Sequence, residues 1–347
     1  MVQEQLEAVI ATGVPGAAVT ATGPAGKLEA AAGLANVETG EALTAEHRFR
    51  VGSVTKLFVA PLVLQLVAEG LLELDGDAGP VAEGITIRQL LNHTSGLPDA
   101  PFDHVEFFEP YRRDPAHRLG LGHREQLAEV MKLPRLFAPG AGWEYHGSNY
   151  LALGLIVEDV TGVPLEEVLR QRILAPLGLD QTDLIEGPLH GQCAHGYLPR
   201  DNPILPGSGP DPVDVTELDL PFYWAGGGVV STPGEVAHLL RALLGGDLIP
   251  DHLRREMLTA VDSDWMETDR YGLGVGEITA IWRRERSPCG PAWGHIGFSL
   301  GYTAIALSSE DGDRQVVLCA NGAFTAQETE EAFFDAAGRL MWRLYCM

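Results

Sequence analysis

Apolar and polar positions repeat with two different periods along this chain, and they predict strands at both ends with helices between them. Residues 3–12 have the spacing of a short helix. The apolar segments Ala17–Thr22 and Leu28–Leu34 are separated by Gly-Pro-Ala-Gly, which predicts a hairpin. Near the C-terminus a final helix over 326–345 follows three strand-like runs, which are Gly272–Glu277, Tyr302–Ser308 and Gln315–Ala320.

The strongest helix prediction covers residues 53–70. The run Leu57–Leu64 is apolar on every side, which is typical of a helix buried at the centre of a protein. We expect Ser53 to cap the helix at its beginning and Gly70 to end it. Pro61 lies inside this segment and removes one backbone hydrogen bond, and we expect the helix to continue through it.

The middle of the chain, from about 71 to 222, is rich in Pro, Gly and His and reads as helices joined by long loops. Within it, helices are predicted over Tyr150–Thr161 and Leu165–Leu174. Beyond it, a Gly-rich turn is predicted after Ala225 and a further helix over 233–244. Strands at both ends predict an α/β (α+β) fold. We expect a sheet domain from residues 1–70 and 225–347, a helical insertion over 71–224, and an active site at their junction.

Charge and composition exclude several classes of function. The formal net charge is −24, so phosphate backbones and anionic membranes would be repelled, and no nucleic-acid or membrane partner is expected. The N-terminus has neither a basic segment nor an apolar one, which favours a cytoplasmic protein; the alternative is a secreted protein whose leader is absent from this sequence. No cysteine pair has C-x-x-C spacing, and the histidines His93, His104, His117 and His123 match no metal pattern, so no metal or cofactor is expected.

Ser53-Val54-Thr55-Lys56 is the segment with the clearest chemistry. Residues three apart share a face of a helix, so the Lys56 amine would lie near the Ser53 hydroxyl. A serine is a weak nucleophile until a neighbouring base takes its proton. Burial lowers the pKa of a lysine, so a buried lysine can act as that base. Because burying an unpaired lysine is costly, its presence in this helix favours a functional role. The sequence therefore predicts a Ser–Lys nucleophile pair.

Two further segments carry candidate residues. Tyr145 precedes a predicted helix and could accept the serine proton as a phenolate beside a lysine ammonium. Trp293-Gly294-His295-Ile296-Gly297-Phe298 leads into a strand, where a backbone N–H could pair with that of Ser53 as an oxyanion hole. Neither segment is specific by itself.

Taken together, these motifs resemble the serine-type D-alanyl-D-alanine carboxypeptidases of the S-x-x-K, Y-x-N, H-x-G type, which are related to class C β-lactamases and several esterases. The resemblance runs nearly end to end. It includes Gly13–Ala17, Phe49–Lys56, Leu91–Leu97, Pro139–Tyr150, Trp224–Gly228, Gly294–Gly297 and Gly301-Tyr302. It implies a β-lactamase/transpeptidase-like fold, with an antiparallel sheet flanked by helices and an all-helical insertion.

The resemblance also implies a role for each matching residue. Ser53 would be acylated, and Lys56 and Tyr145 would share the acid–base work. His295 would stand where β-lactamases carry the lysine of K-T-G. The N–H groups of Ser53 and Phe298, beside Gly297, would form the oxyanion hole, and Trp224 would wall the cleft.

Three departures from the pattern change the expected substrate. Gly147 occupies the position of the Asn of Y-x-N, whose amide contacts the lysine and the substrate's acylamino group. Ile296 and Phe298 are apolar where the peptidases tend to place hydroxyls, and Glu277 stands where an arginine often assists. Because an apolar site discriminates weakly, we expect an esterase, amidase or acyltransferase acting on a small ester or amide. A D-alanyl-D-alanine carboxypeptidase or β-lactamase and a non-catalytic acylatable sensor are the alternatives.

The same resemblance concerns the cysteines, because similar carboxypeptidases carry bridged cysteines at the positions of Cys289 and Cys346. Such a bridge would tie the C-terminal helix to the motif strand. It would conflict with the cytoplasmic expectation, since the cytosol keeps thiols reduced.

Overall fold

The computed structural model of the chain describes residues 2–99, 109, 120–202, 212–218, 224–264, 268–281, 286–324 and 326–347. Of the histidines considered above, His104 and His117 lie outside these residues.

A nine-stranded antiparallel sheet organises this fold, with strand order β3-β2-β1-β14-β13-β12-β11-β10-β9. Its strands are β1 Gly16–Gly23, β2 Gly26–Asn36, β3 Glu41–Ala42, β9 Val261–Asp262, β10 Thr268–Tyr271, β11 Gly276–Ile278, β12 Ala292–Ser299, β13 Tyr302–Ser308 and β14 Gln315–Ala320. A smaller sheet has the order β4-β8-β5, from Phe49–Arg50, Val229–Ser231 and Asp183–Leu184, and a two-stranded ladder joins β6 Tyr197–Leu198 to β7 Val213–Asp214.

Helices cover both faces of the large sheet. The α-helices of the described residues, some of which pack on other helices, are α1 Val2–Ile10, α2 Lys56–Ala68, α3 Ile87–Leu91, α4 His123–Val130, α5 Ser148–Thr161, α6 Leu165–Leu169, α7 Ala175–Leu177, α8 Trp224–Gly227, α9 Pro233–Leu244, α10 Asp251–Leu258 and α11 Gln327–Tyr345. A 3-10 turn, Gly52–Thr55, precedes α2.

Two apolar layers form the core because successive residues of a strand point to opposite faces of a sheet. One layer packs α1 and α11 against side chains such as Ile296, Ile305 and Leu318. The other packs α2, α5 and α9 against side chains such as Ala306 and Val317. β12 lies between these layers, and one of its faces is turned towards the Ser53 turn and α2.

Most predicted elements are confirmed. The hairpin of β1 and β2, the helix through Pro61, the helix over Pro233–Leu244, and the strands β13 and β14 lie where the sequence placed them. The fold class is also confirmed: a mixed α/β structure with an antiparallel sheet flanked by helices.

Three details of the prediction were wrong. Gly272–Glu277 is not one strand, because Gly272 N–H bonds to Val275 O and Gly274 has a φ of +79°, so the chain turns between β10 and β11. Ser53 does not cap α2; it lies in the preceding 3-10 turn. The inserted region is not purely helical, since it also contributes the two-residue strands β5, β6 and β7.

A disulfide joins Cys289, just before β12, to Cys346, just after α11, with a Cα–Cα distance of 5.8 Å. The pairing implied by the resemblance is therefore present. Cys193 and Cys319 are buried free thiols. No helix within the described part of the chain is both long enough and apolar enough to cross a membrane.

Candidate active site

The Ser53 hydroxyl and the Lys56 amine lie together at the beginning of α2. Lys56 Nζ is 3.1 Å from Ser53 Oγ and donates a hydrogen bond to Gly226 O, in the helical turn α8, at 2.7 Å. The lysine is only 1 % exposed. Burial lowers the pKa of Lys56 to about 7, and the negative charge of Asp99 opposes that shift. Because this pKa is about 7, a substantial fraction of Lys56 is unprotonated at neutral pH and able to accept a proton.

Tyr145 lies on the loop before α5 and reaches the same two side chains. Its ring centroid is 4.9 Å from Lys56 Nζ, and its hydroxyl is hydrogen-bonded to Ser53. Burial raises the pKa of Tyr145 well above its usual range. The structure therefore favours a protonated phenol beside a lysine of lowered pKa, which is the reverse of the phenolate and ammonium pair considered from the sequence.

His295 lies in β12, fully buried behind Tyr145. Its Nδ1 is 2.7 Å from Ile296 O, so it donates there, and its Nε2 is left as an acceptor. Burial and the charge of Lys56 lower the pKa of His295 well below 6.5. A neutral imidazole cannot supply the positive charge of the lysine whose place it takes in the motif.

Tyr271, at the end of β10, is a site residue that the sequence reasoning missed. Its hydroxyl lies 2.9 Å from His295 Nε2, and that of Tyr145 lies 3.5 Å from the same atom. The signal was weak, because Tyr271 belongs to none of the three motifs and lies just outside the strand predicted over Gly272–Glu277. Only the antiparallel pairing of β10 with β11 and of β11 with β12 brings it to His295.

The main chain of β12 lies directly against the Ser53 turn. A Cβ atom on Gly297 would be 3.0 Å from both Ser53 N and Val54 N, and it would overlap Val51 O. A Cβ atom on Gly52, whose φ is +52°, would overlap the Phe298 backbone. Glycine at both positions therefore lets the backbones of Ser53 and Phe298 approach each other, as a two-donor oxyanion hole requires.

The side chains of Ile296 and Phe298 do not face this site. Ile296 is buried in the layer formed by α1 and α11, and the Phe298 ring lies 6.0 Å from that of Phe334 in α11. Because residues of a strand alternate between faces, His295 and Gly297 face Ser53 while Ile296 and Phe298 face away. The sequence argument that these two apolar side chains alter substrate recognition was therefore wrong.

Trp224 also differs from its predicted role. Its side chain is 1 % exposed, stacks on His123 at 3.8 Å and donates from Nε1 to Glu166 at 2.8 Å. It packs against α5, where the absence of a side chain at Gly154 leaves room for its ring. The side chain of His123 is accordingly half-buried, with 20 % of it exposed, and it is held by this stack.

The third motif position, Gly147, lies at the beginning of α5 beside Asp99. A Cβ atom there would be 3.7 Å from Asp99 Oδ1. Asn149, two residues later, is buried; its amide nitrogen bonds to His93 Nδ1 and its oxygen accepts from Ser95. Asn149 therefore anchors the loop carrying His93 and does not replace the missing motif amide. Among the residues that the structure describes, no group of three or more His, Cys, Asp or Glu side chains is placed to hold a metal ion.

A serine hydroxyl beside a buried lysine and a tyrosine, with a histidine on the adjoining strand, is the arrangement expected for the β-lactamase and penicillin-binding protein superfamily. The chain matches the family described as Beta-lactamase over residues 2–339. It belongs to that family.

The proteins that are similar to this chain have different activities. The chain is 34 % identical to esterase EstB of Burkholderia gladioli, over 72 % of this chain and 71 % of that protein. It is 29 % identical to penicillin-binding protein 4 of Amycolatopsis lactamdurans, over 94 % of this chain and 86 % of that protein. The solved structure of D-amino acid amidase from Ochrobactrum anthropi, complexed with D-phenylalanine, has a TM-score of 0.81 and 26 % identity, covering 97 % and 98 % of the two chains.

Proposed function

We propose that this protein is a serine hydrolase or acyltransferase that forms an acyl-enzyme at Ser53 from a small ester or amide. The observation that carries the proposal is the 3.1 Å distance between Ser53 Oγ and the Nζ of a buried Lys56 with a pKa of about 7. A lysine with that pKa can act as a general base at neutral pH without a cofactor.

The reaction follows from the positions of these groups. Neutral Lys56 takes the Ser53 proton as Oγ attacks the carbonyl carbon, and the resulting oxyanion is held by the N–H groups of Ser53 and Phe298. Tyr145, a protonated phenol within reach of both side chains, gives a proton to the leaving alcohol or amine and regains one from Lys56. Water or an amine or alcohol acceptor then attacks the acyl-enzyme, and Lys56, neutral again, takes the proton of the acceptor and returns it to Ser53 Oγ as the acyl–serine bond breaks.

His295 and Tyr271 support Tyr145 in this scheme. His295 Nε2 is an acceptor shared by the two tyrosine hydroxyls, so it orients the Tyr145 phenol without carrying charge. A small ester or amide is favoured as substrate because Gly147 lacks the motif amide that binds an acylamino group. The esterase and the amidase among similar proteins support the same choice.

Intact mass spectrometry tests this proposal. The protein would be incubated with p-nitrophenyl esters, D-alanyl peptides and penicillins, with and without added amines, next to Ser53→Ala. We expect an acyl adduct on the wild type with the esters, and none on Ser53→Ala. Rapid turnover of D-alanyl-D-alanine peptides with little esterase activity would favour the carboxypeptidase alternative. An adduct that never resolves with any acceptor would favour the acylatable sensor.

A further inference from the structure

The loop that carries Tyr145 is fastened to the segment after α3, where His93 meets the main chain on both sides of the tyrosine. The N–H of Glu144 donates to the main-chain oxygen of His93 at 3.1 Å. The N–H of His146 donates to the ring atom Nδ1 of His93 at 3.3 Å. The two residues that flank Tyr145 are therefore held by one residue.

The imidazole of His93 also packs against the ring of Tyr145. The two ring centroids are 4.3 Å apart, with an angle of 37° between the ring planes. Tyr271, whose hydroxyl contacts His295, lies edge to face against the same imidazole at 5.1 Å. His93 is fully buried, so its main-chain oxygen, its Nδ1 atom and its ring all contribute to the position of the Tyr145 loop.

The hydrogen bonds of the His93 ring determine where its proton lies. Nδ1 accepts from the His146 N–H and from the side-chain amide of Asn149 at 3.2 Å, so the neutral ring carries its proton on Nε2. Burial and the charge of Lys56 lower the pKa of His93 well below 6.5. His93 therefore stays neutral, with Nδ1 as an acceptor, over the pH range near 7 in which Lys56 titrates.

The backbone of His93 departs from the conformation that a residue with a side chain favours. Its φ is +63°, and no other non-glycine residue in the described part of the chain has a positive φ. Glycine adopts this left-handed region readily, whereas L-amino acids rarely do. The ring atom Nε2 adds a second cost, because it is buried without a hydrogen-bond partner among the described residues. An imidazole here opposes both preferences, which favours a function for the ring itself.

We propose that His93 is the positioning residue for Tyr145: it holds the main chain on both sides of the tyrosine and supports its ring, so that the phenol stays aligned for proton transfer. This inference rests on the proposed acyl transfer at Ser53 and deepens it. The phenol gives its proton to the leaving group only while its hydroxyl stays beside Ser53 and Lys56. A displacement of about 1 Å can lower a rate about 100-fold.

Two esters with the same acyl group separate this role from a general effect on the enzyme. Ethyl butyrate has a strongly basic leaving group, which must be protonated as it departs. p-Nitrophenyl butyrate releases p-nitrophenolate, which is stable without a proton. Because kcat/KM covers the steps up to acylation, a misplaced phenol should lower kcat/KM more for the ethyl ester than for the p-nitrophenyl ester.

The test variants are chosen to suit the positive φ of His93. His93→Gly suits this backbone best and removes both the ring and the Nδ1 acceptor. His93→Asn also tolerates a positive φ, and its side-chain oxygen replaces Nδ1 as an acceptor, but no ring remains. His47→Asn is the matched control, because His47 is 2 % exposed and its Nδ1 likewise accepts a main-chain N–H, that of Thr44, at 3.1 Å.

We expect His93→Gly to lower kcat/KM roughly 100-fold for ethyl butyrate and less than about 10-fold for p-nitrophenyl butyrate. His93→Asn should restore part of the loss on the ethyl ester, and His47→Asn should affect neither ester. In a Tyr145→Phe background, measured with enzyme in excess, His93→Gly should have little further effect on ethyl butyrate, because the hydroxyl that it positions is absent. Equal losses on both esters, or an equal loss with and without the Tyr145 hydroxyl, would overturn the positioning role.

Thermal unfolding shows which variants are folded, and His93→Asn carries the comparison of the two esters if His93→Gly is unfolded. If neither variant folds, His93 serves the fold and the positioning role is wrong. Intact mass of the wild type separates this failure from failure of the proposed function. Acylation of Ser53 together with equal losses on the two esters would overturn the positioning role alone. No acylation by any donor would overturn both.

Discussion

At the scale of single residues, the candidate site is a set of titratable groups whose pKa values are set by burial. Burial lowers the pKa of Lys56 to about 7. It also raises the pKa of Tyr145, which keeps the phenol protonated, and lowers the pKa of His295, which keeps the imidazole neutral. Lys56 is therefore the group best placed to accept a proton near neutral pH, with the Ser53 hydroxyl and the Tyr145 phenol beside it. This arrangement predicts distinct behaviour for each of them.

The pH dependence of kcat/KM should follow Lys56. The free base is the active form, so the rate should fall as the pH drops through about 7, where Lys56 gains a proton. Because Asp99 raises that pKa, Asp99→Asn should move the acidic limb to lower pH. A profile measured with a neutral p-nitrophenyl ester would check both points. A flat profile from pH 6 to 8 would contradict the assignment of Lys56 as base.

Removing either partner of the proton path should have nearly the same effect as removing both. Lys56→Ala and Tyr145→Phe should each lower the acylation rate by several orders of magnitude, and the double variant should be little worse, because groups acting as a unit are not additive. Single-turnover acylation would measure this. Losses that multiply would mean that the two residues act independently.

Tyr271 should act through His295 and not through substrate binding. Tyr271→Phe removes the 2.9 Å contact with His295 Nε2, which frees the imidazole to turn and leaves Tyr145 less well oriented. We expect kcat to fall roughly 10-fold, with KM nearly unchanged. Tyr302→Phe is the control, since Tyr302 is equally buried but donates to Ala194 O, away from Ser53. Equal losses in the two variants would indicate a general effect on folding.

At the scale of elements, the site depends on how closely β12 approaches the turn before α2. The strand and the turn are joined by main-chain contact at Gly52 and Gly297, so their separation is fixed by the absence of two Cβ atoms. The same packing orients β12 so that His295 faces the serine and Ile296 faces the opposite layer.

Gly297→Ala should push β12 away from the Ser53 turn. Because the added methyl group would overlap Val51 O, we expect a loss of about 1–3 kcal/mol in the free energy of unfolding, together with a large drop in kcat. Gly187→Ala is a matched control, since nothing lies within 4 Å of its Cβ position. Denaturant unfolding and ester hydrolysis would be measured side by side. Full activity in Gly297→Ala would rule out the close approach.

At the scale of the whole molecule, the two ends of the chain meet around the sheet. β1 pairs with β14, and α1 packs against α11 in one apolar layer. The disulfide between Cys289 and Cys346 adds a covalent link between α11 and the segment that leads into β12. The division of the chain near residues 70 and 225 stays a prediction.

The disulfide should contribute to stability by restricting the unfolded chain. It spans a sequence separation of 57 residues, for which chain-entropy arguments give up to about 4 kcal/mol. Reductant should lower the Tm of the wild type and leave that of Cys346→Ser unchanged. Thiol counting on denatured protein should give two free thiols before reduction and four after it. Four thiols in protein taken directly from cells would support a cytoplasmic location, and two would favour secretion.

The sequence by itself determined the features that depend on local spacing. It gave the hairpin of β1 and β2, the buried helix after Ser53, and the pairing of Ser53 with Lys56, because these follow from periodicities within one element. Tertiary structure alone decided which face of β12 meets the serine, where Trp224 packs, and that Tyr271 and Asp99 reach the site. Those facts depend on strand register and on contacts between segments far apart in the chain. A one-residue change in register reverses every side chain of a strand, and no local pattern fixes it.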